Sequence, residues 1–185
     1  MREIIIQGRG GQGAQTAGNL LARAYFACGR QVQAFATYGG ARRGTPVSSF
    51  LRVADQPIRL RCDIERADAI LCFDASLLQA PLLARADERT MIVVNSALPA
   101  AQLQAQAPGL RIVAVDAMSI SRSLGLGRIV NSALLGAFAR VLGDPPLATL
   151  EALLRTESPQ LGEENAAACA AGYQAAGAQL QGVAP

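Results

Sequence analysis

Apolar residues follow two rhythms along this chain. Short runs, either continuous or alternating with polar positions, read as strands over Glu3–Gln7, Gln31–Ala36, Val47–Val53, Ala69–Phe73, Thr90–Val94 and Arg111–Val115. Pro57–Arg61 reads as a further short edge piece. The remaining apolar positions recur at helical spacing. Ala17, Leu20, Leu21, Ala24 and Tyr25 predict a helix over Gln15–Cys28, stopped by Gly29. Further helices are expected over Ala75–Leu83, from Asp116 to about Leu124, and over Asn131–Leu142, Leu147–Arg155 and Leu161–Ala178. Asp74 and Asp116 stand where N-cap carboxylates belong. Asn131 reads as a cap or as a contact group, and Asn165, on an alanine-rich helix, as the source of an interhelical hydrogen bond.

Strands alternating with helices predict an α/β fold: three layers, Rossmann-like, with a mostly parallel sheet and helices on both faces. The 185 residues are expected to form a single domain over 1–185, with no internal repeat and no dividing linker. At 51% hydrophobic and 17% charged, the chain has the material for a core. What it lacks is more informative. It has no His, no Trp and no Lys, so all 17 basic residues are arginine. No Ser-His-Asp or Cys-His arrangement can form within it, and no lysine can hold a nucleotide phosphate or form a Schiff base. Cys28, Cys62, Cys72 and Cys169 form no C-x-x-C pair, so reduced thiols and no metal site are expected. The apolar start is too short for a signal peptide, and nothing approaches the ~18 continuous apolar residues of a membrane span. The expected setting is cytoplasmic.

Charge is unevenly placed. Residues 1–54 hold seven arginines against the single acid Glu3, whereas residues 55–185 hold ten arginines against thirteen acids. The first third therefore reads as a candidate anion-binding region. Within it, Gly8-Arg9-Gly10-Gly11-Gln12-Gly13 lies between the first strand and the first helix. Glycine there permits a tight turn and close backbone approach, and the free N–H groups of the following helix favour an anion. The usual reading is a dinucleotide pyrophosphate site, but no acid follows until Asp55 to bond a ribose. Three readings stay open: a nicotinamide nucleotide, another phosphorylated ligand, or strand–helix packing and subunit contact. Tyr38-Gly39-Gly40-Ala41-Arg42-Arg43-Gly44-Thr45-Pro46 forms a second, cationic loop. Paired guanidinium groups suit phosphate or carboxylate; a solvated loop, or one meeting a partner's acids, is the alternative. The candidate binding residues are Gly8, Gly10, Gly11, Gln12, Gly13, Arg42, Arg43, Gly44 and Asn131, with Asp74 and Asn95 secondary. With few aromatics and no nucleic-acid module, no nucleic-acid partner is expected.

The two loops, in this order, resemble the gamma subunit or domain of the 2-oxoacid:acceptor oxidoreductases, which include pyruvate:ferredoxin and indolepyruvate oxidoreductases. Val47–Val53, with Arg52 near its end, is similar to the strand that follows the family's second loop. Arg66-Ala67-Asp68-Ala69-Ile70-Leu71, Asn131-Ser132-Ala133-Leu134-Leu135-Gly136-Ala137, and Asn165 with Gly172-Tyr173 extend the likeness over nearly the whole chain. Thr45 after Gly44, and Ala41-Arg42 before Arg43, depart from the family's commoner residues.

The resemblance implies a hetero-oligomer performing oxidative decarboxylation of a 2-oxoacid to an acyl-CoA. Alpha and beta subunits would carry thiamine diphosphate and Mg, and a delta-like subunit the iron–sulfur clusters. Ferredoxin or another acceptor would be reached through those partners. This chain has neither a G-D-G…N thiamine motif nor cluster spacing of cysteines. It is thus expected to hold no catalytic residue, to be inactive alone, and to supply the coenzyme A side or closing wall of the active site. Two alternatives remain: a non-catalytic assembly subunit of such a complex, and a stand-alone nucleotide-binding enzyme.

Overall fold

A computed structural model describes residues 1–38, 44–158 and 160–181. Six strands, β1 (Arg2–Arg9), β2 (Gln31–Tyr38), β3 (Pro46–Ala54), β4 (Ala69–Cys72), β5 (Met91–Asn95) and β6 (Arg111–Val115), form one sheet in the order β2-β3-β1-β4-β5-β6. β1, β4, β5 and β6 run parallel, while β3 is antiparallel to both β1 and β2. The sheet is therefore mostly parallel, with β3 inserted between the first two strands. That insertion sets Gly8 opposite Val47 and Arg9 opposite Pro46, so the loop leading into β3 meets the glycine loop.

Alternation along the strands divides the core into two layers. Ile4, Ile6, Leu51, Leu71, Val93 and Val113 face one layer; Ile5, Phe50, Ile70, Ile92 and Ile112 face the other. The first layer is thick. It comprises α1 (Ala14–Ala27), α4 (Ala117–Ser123), α5 (Asn131–Leu142), α6 (Leu147–Glu157) and α7 (Gly162–Gln181). The second is thin, formed by α2 (Ala80–Leu83), α3 (Ala100–Gln104) and the connection from β3 to β4.

Three local expectations are corrected. Pro57–Arg61 is not a strand; it belongs to the β3–β4 connection, lying over β2, where Gln33 Nε2 donates to the Leu60 carbonyl at 2.8 Å. Ala75–Leu83 is not one helix but a 3₁₀ turn (Ala75–Leu77), a break, and α2 with Pro81 in its first turn. Proline lacks the N–H a continuous helix would need there and fits a new helix start. The short α3, opening after Pro99, was not expected. The remaining elements lie within a few residues of their predicted bounds, and α1 ends before Gly29 as expected.

Arg52 is a charged residue with only 1% exposure, and it fastens three strands. Its guanidinium donates to Glu3 Oε1 on β1 at 2.7 Å and to Gln33 Oε1 on β2 at 2.9 Å. A buried charge is tolerated when it is paired and hydrogen-bonded in this way.

Glycines fix the contact between α5 and α7. A methyl group at Gly136 would overlap the Cys169 carbonyl, and one at Gly172 the Ala133 carbonyl, so the two helices touch backbone to backbone. At the same contact Ser132 Oγ donates to Asn165 Oδ1 at 2.6 Å, which is the interhelical bond expected of Asn165. Gly136→Ala should cost about 3 kcal/mol, because neither backbone can give way. Gly177→Ala, on the same helix α7, meets only the flexible end of Arg140 and should be near neutral or slightly stabilising. Urea unfolding of the two variants measures the difference.

Candidate functional site

The glycine loop closes the C-terminal end of β1. Gly13 is the N-cap of α1 with φ of 89°, a backbone that side chains rarely adopt. A Cβ at Gly13 would also lie 2.5 Å from Asn131 Nδ2. Glycine is thus required twice at this position, by dihedral and by the start of α5. Gly8, near the end of β1, is buried, and a Cβ there would press on Ala14 and Phe73. Gly10 is tied to the β3 approach: its N–H donates to Thr45 O at 2.9 Å, and Gly44 N donates to Gly10 O at 3.4 Å.

Beside this loop, at the ends of β1, β4 and β5, lies a cleft of about 600 Å³. Gly10, Gly11 and Gln12 form one wall, Phe73 and Asn95 line it at the strand ends, and Met118, Arg122, Arg128 and Val130 form the other wall. This is the strand end at which open α/β sheets gather ligands. Gln12 Oε1 accepts the Arg9 N–H at 2.7 Å, closing the loop on itself. Asn95 is likewise engaged, donating to Phe73 O and accepting from the Ala117 N–H, both at 3.2 Å, so it ties β4 to α4.

The cationic excess of the first third is mostly consumed in the fold. Five of its seven arginines pair with acids: Arg2 with Asp144, Arg9 with Asp74, Arg23 with Glu157, Arg30 with Asp55 and Arg52 with Glu3. Arg42 and Arg43 lie outside the described residues. The cleft takes its positive charge instead from Arg122 and Arg128, both exposed and neither in an ion pair among the described residues. They come from the acidic part of the sequence and were not expected. The only signal for them was their place after the sixth strand, at the ligand-gathering end of the sheet.

Asp74 organises the margin of the cleft. Its Oδ1 accepts from Ser76 N and Oγ, capping the 3₁₀ turn, while its Oδ2 accepts from Arg9 Nε at 2.8 Å. Burial pushes the Asp74 pKa up, but the Ser76 and Arg9 hydrogen bonds outweigh it and hold the carboxyl below its ordinary 3.8. Asp116, as expected, caps α4 through Ser119, whose hydroxyl and N–H lower its pKa in turn. Asn131 does not cap; it is the first residue of α5, and Val130 holds the cap position. Its side chain lines a second, apolar hollow of about 450 Å³ with Thr16, Leu20, Leu161 and Asn165, on the far side of Gly13, against which its amide packs. Burial pushes the Cys72 thiol up to about 12, which makes it a neutral core group and not a nucleophile. Among the described residues no three His, Cys, Asp or Glu side chains group to hold a metal ion, and no helix is long and apolar enough to cross a membrane.

The family model described as pyruvate ferredoxin/flavodoxin oxidoreductase matches residues 3–175. The chain belongs to that family. It is 37% identical over 179 residues to the pyruvate/ketoisovalerate oxidoreductases common subunit gamma of Pyrococcus furiosus, covering 94% of this chain and 96% of that one. It is 38% identical to the pyruvate synthase subunit PorC of Methanocaldococcus jannaschii, with the same coverage. The crystal structure of pyruvate oxidoreductase subunit PORC from Thermotoga maritima superposes with a TM-score of 0.83 at 31% identity, over 94% of this chain and 95% of that one. The 2-oxoglutarate:ferredoxin oxidoreductase of Magnetococcus marinus, solved with 2-oxoglutarate, coenzyme A and succinyl-CoA bound, shares the fold alone (TM-score 0.74, 18% identity). All of this chain aligns there with 32% of that longer one. The chain is thus a gamma-type subunit of a pyruvate/2-oxoacid oxidoreductase of this family.

Within the family's gamma chain the Asp74 cap has a testable signature. A depressed folded pKa contributes stability that is present above the ordinary carboxylate range and is lost as pH falls through the folded value. Asp74→Ala should lower stability by about 1 kcal/mol at about pH 7. The difference between the urea midpoints of variant and wild type should narrow as pH is lowered through the folded value of Asp74.

Proposed function

We propose that this gamma subunit receives the phosphates of coenzyme A in a cytoplasmic, thiamine-diphosphate-dependent pyruvate/2-oxoacid:ferredoxin oxidoreductase, and so forms the coenzyme A wall of its active site. The observation that carries the reading is the cleft at the strand ends. There Arg122 and Arg128 are exposed opposite the glycine loop and form no close ion pair among the described residues, while the carboxylates of Asp74 and Asp116 are hydrogen-bonded to Arg9, Ser76 and Ser119, with Asp116 also in the field of Arg122. Guanidinium forks bind phosphate oxygens in pairs, and the exposed Gly11 backbone admits a ligand without side-chain obstruction. A structure of like fold was solved with coenzyme A bound. Gly10, Gly11 and Gln12 shape the near wall, Gly44 is tied to it through Gly10, and the reading assigns further phosphate contact to Arg42 and Arg43 of the second loop.

The donor set here fits a phosphate ester and does not fit the carboxylate-and-metal site that thiamine diphosphate requires. Thiamine diphosphate with Mg therefore belongs to the alpha and beta subunits and the iron–sulfur clusters to a delta-like subunit, which pass electrons to ferredoxin. The role of this chain is electrostatic. It holds the anionic end of coenzyme A so that the thiol end reaches a neighbouring subunit.

In the assembled complex, Arg122→Ala with Arg128→Ala should raise the apparent KM for coenzyme A roughly tenfold, the size of one lost charge-assisted contact. Arg42→Ala with Arg43→Ala should act in the same direction. The 2-oxoacid decarboxylation that precedes the coenzyme A step should be unchanged. Steady-state kinetics with coenzyme A varied provides the measurement, and an unaltered requirement in both double variants rejects the reading.

A further inference from the structure

Three chain segments meet at the C-terminal end of β1, and Arg9 joins all of them. Its Nε donates to Asp74 Oδ2 at 2.8 Å and its Nη2 to Ser76 Oγ at 2.7 Å, both at the turn that follows β4. Its Nη1 donates to the Gly44 carbonyl at 3.2 Å, in the approach to β3. Its own backbone closes the glycine loop: the Arg9 N–H donates to Gln12 Oε1 at 2.7 Å, and the Arg9 carbonyl accepts from the Gln12 N–H at 2.9 Å. Each of the three guanidinium nitrogens thus has its own partner. Arg9 does not line the cleft, whereas the next residues, Gly10 and Gly11, do. Glycine loses the most backbone freedom on being ordered. Nothing packs where a side chain of Gly11 would stand, so the order of this pair comes from its flanks.

We propose that Arg9 is a positioning residue for coenzyme A. It holds the glycine loop, the approach to β3 and the turn after β4 at one spacing, so that the near wall of the cleft is formed before the ligand arrives. This inference rests on the coenzyme A reading and adds to it a residue that touches no ligand. A wall of loose glycines would have to be ordered at the moment of binding, and that lost entropy would weaken affinity. Arg9 orders it in advance. The geometry calls for arginine specifically. A guanidinium is a rigid planar fork whose nitrogens aim in fixed, divergent directions, whereas a lysine ammonium is a compact charge on a flexible stem and does not span three segments. A role as a free positive charge drawing phosphate inward is opposed by Asp74, whose carboxylate faces Arg9 and offsets it.

The test is steady-state kinetics of the assembled complex. Arg9→Ala and Arg9→Lys should each raise the apparent KM for coenzyme A roughly tenfold, the worth of ordering about one backbone residue. The rate at saturating coenzyme A and the KM for the 2-oxoacid should stay at their wild-type values. Recovery by lysine overturns the proposal, because charge and not the three-way fork would then be what matters. Asp74→Ala should act in the same direction, and combined with Arg9→Ala it should fall short of the product of the two single effects; a full product overturns the proposal. Arg23→Ala, which removes the ion pair with Glu157 between α1 and α6, should leave the KM unchanged. An equal rise there marks a general loosening of the subunit and also overturns it. The Arg122→Ala, Arg128→Ala double variant separates the two readings. If it raises the KM and Arg9→Ala does not, the positioning role alone falls; if neither raises it, the coenzyme A reading falls and takes this role with it.

Discussion

The arrangement of the cleft depends on one steric constraint, the direct backbone contact between α5 and α7. Side chains at Gly136 or Gly172 would push the helices apart, and α5 lies across β4 and β5 in the centre of the thick layer. Because α5 cannot shift outward, its first turn is fixed against Gly13, and the Ser132–Asn165 hydrogen bond closes the same end. The segment entering α5, with Arg128 and Val130, is thereby held beside the glycine loop. A purely steric relation between two helices thus positions a charged group some distance from it.

Electrostatics follows the same economy. The arginines of the first third mostly bind the fold together. Arg52 joins β1, β3 and β2, and Arg2 and Tyr25 meet Asp144 at the α5–α6 link. Burial, together with the nearby Asp144 carboxylate, pushes the Tyr25 hydroxyl well above its ordinary range, so the phenol stays neutral and donates a hydrogen bond to the Asp144 carboxylate. Asp74 and Asp116 are engaged with Ser76, Arg9 and Ser119. Of the described residues that line the cleft, the two arginines without a close ion pair, Arg122 and Arg128, lie on its second wall.

Much of this was legible from residue order because it rests on local rules. The 3.6 and 2.0 periods mark α1 and most strands, Gly29 ends α1, and Asp74 and Asp116 cap the turns that follow β4 and β6. The glycine loop and Gly44 were recognised as parts of one region, and they do meet. What the residues could not reveal is non-local. Alternation marks Pro46–Ala54 as a strand but not as the neighbour of β1. Counting arginines marks a cationic segment but not which of its charges will find acids in the fold. Arg122 and Arg128 meet the glycine loop only through the strand order, more than a hundred residues away in sequence. The break at Leu78–Gln79 had a visible sign in Pro81, which the run of alanine and leucine concealed.

The unequal thickness of the two layers has a dynamic consequence. α2 and α3 span four and five residues, too short to persist as helices unaided, and each is pinned mainly by one leucine, Leu82 or Leu103. Deuterium should enter their amides long before those of α5 or α7. The sheet can then breathe on its lightly covered face, while Arg122, Arg128 and the glycine loop, all carried by the heavily packed side, keep their spacing.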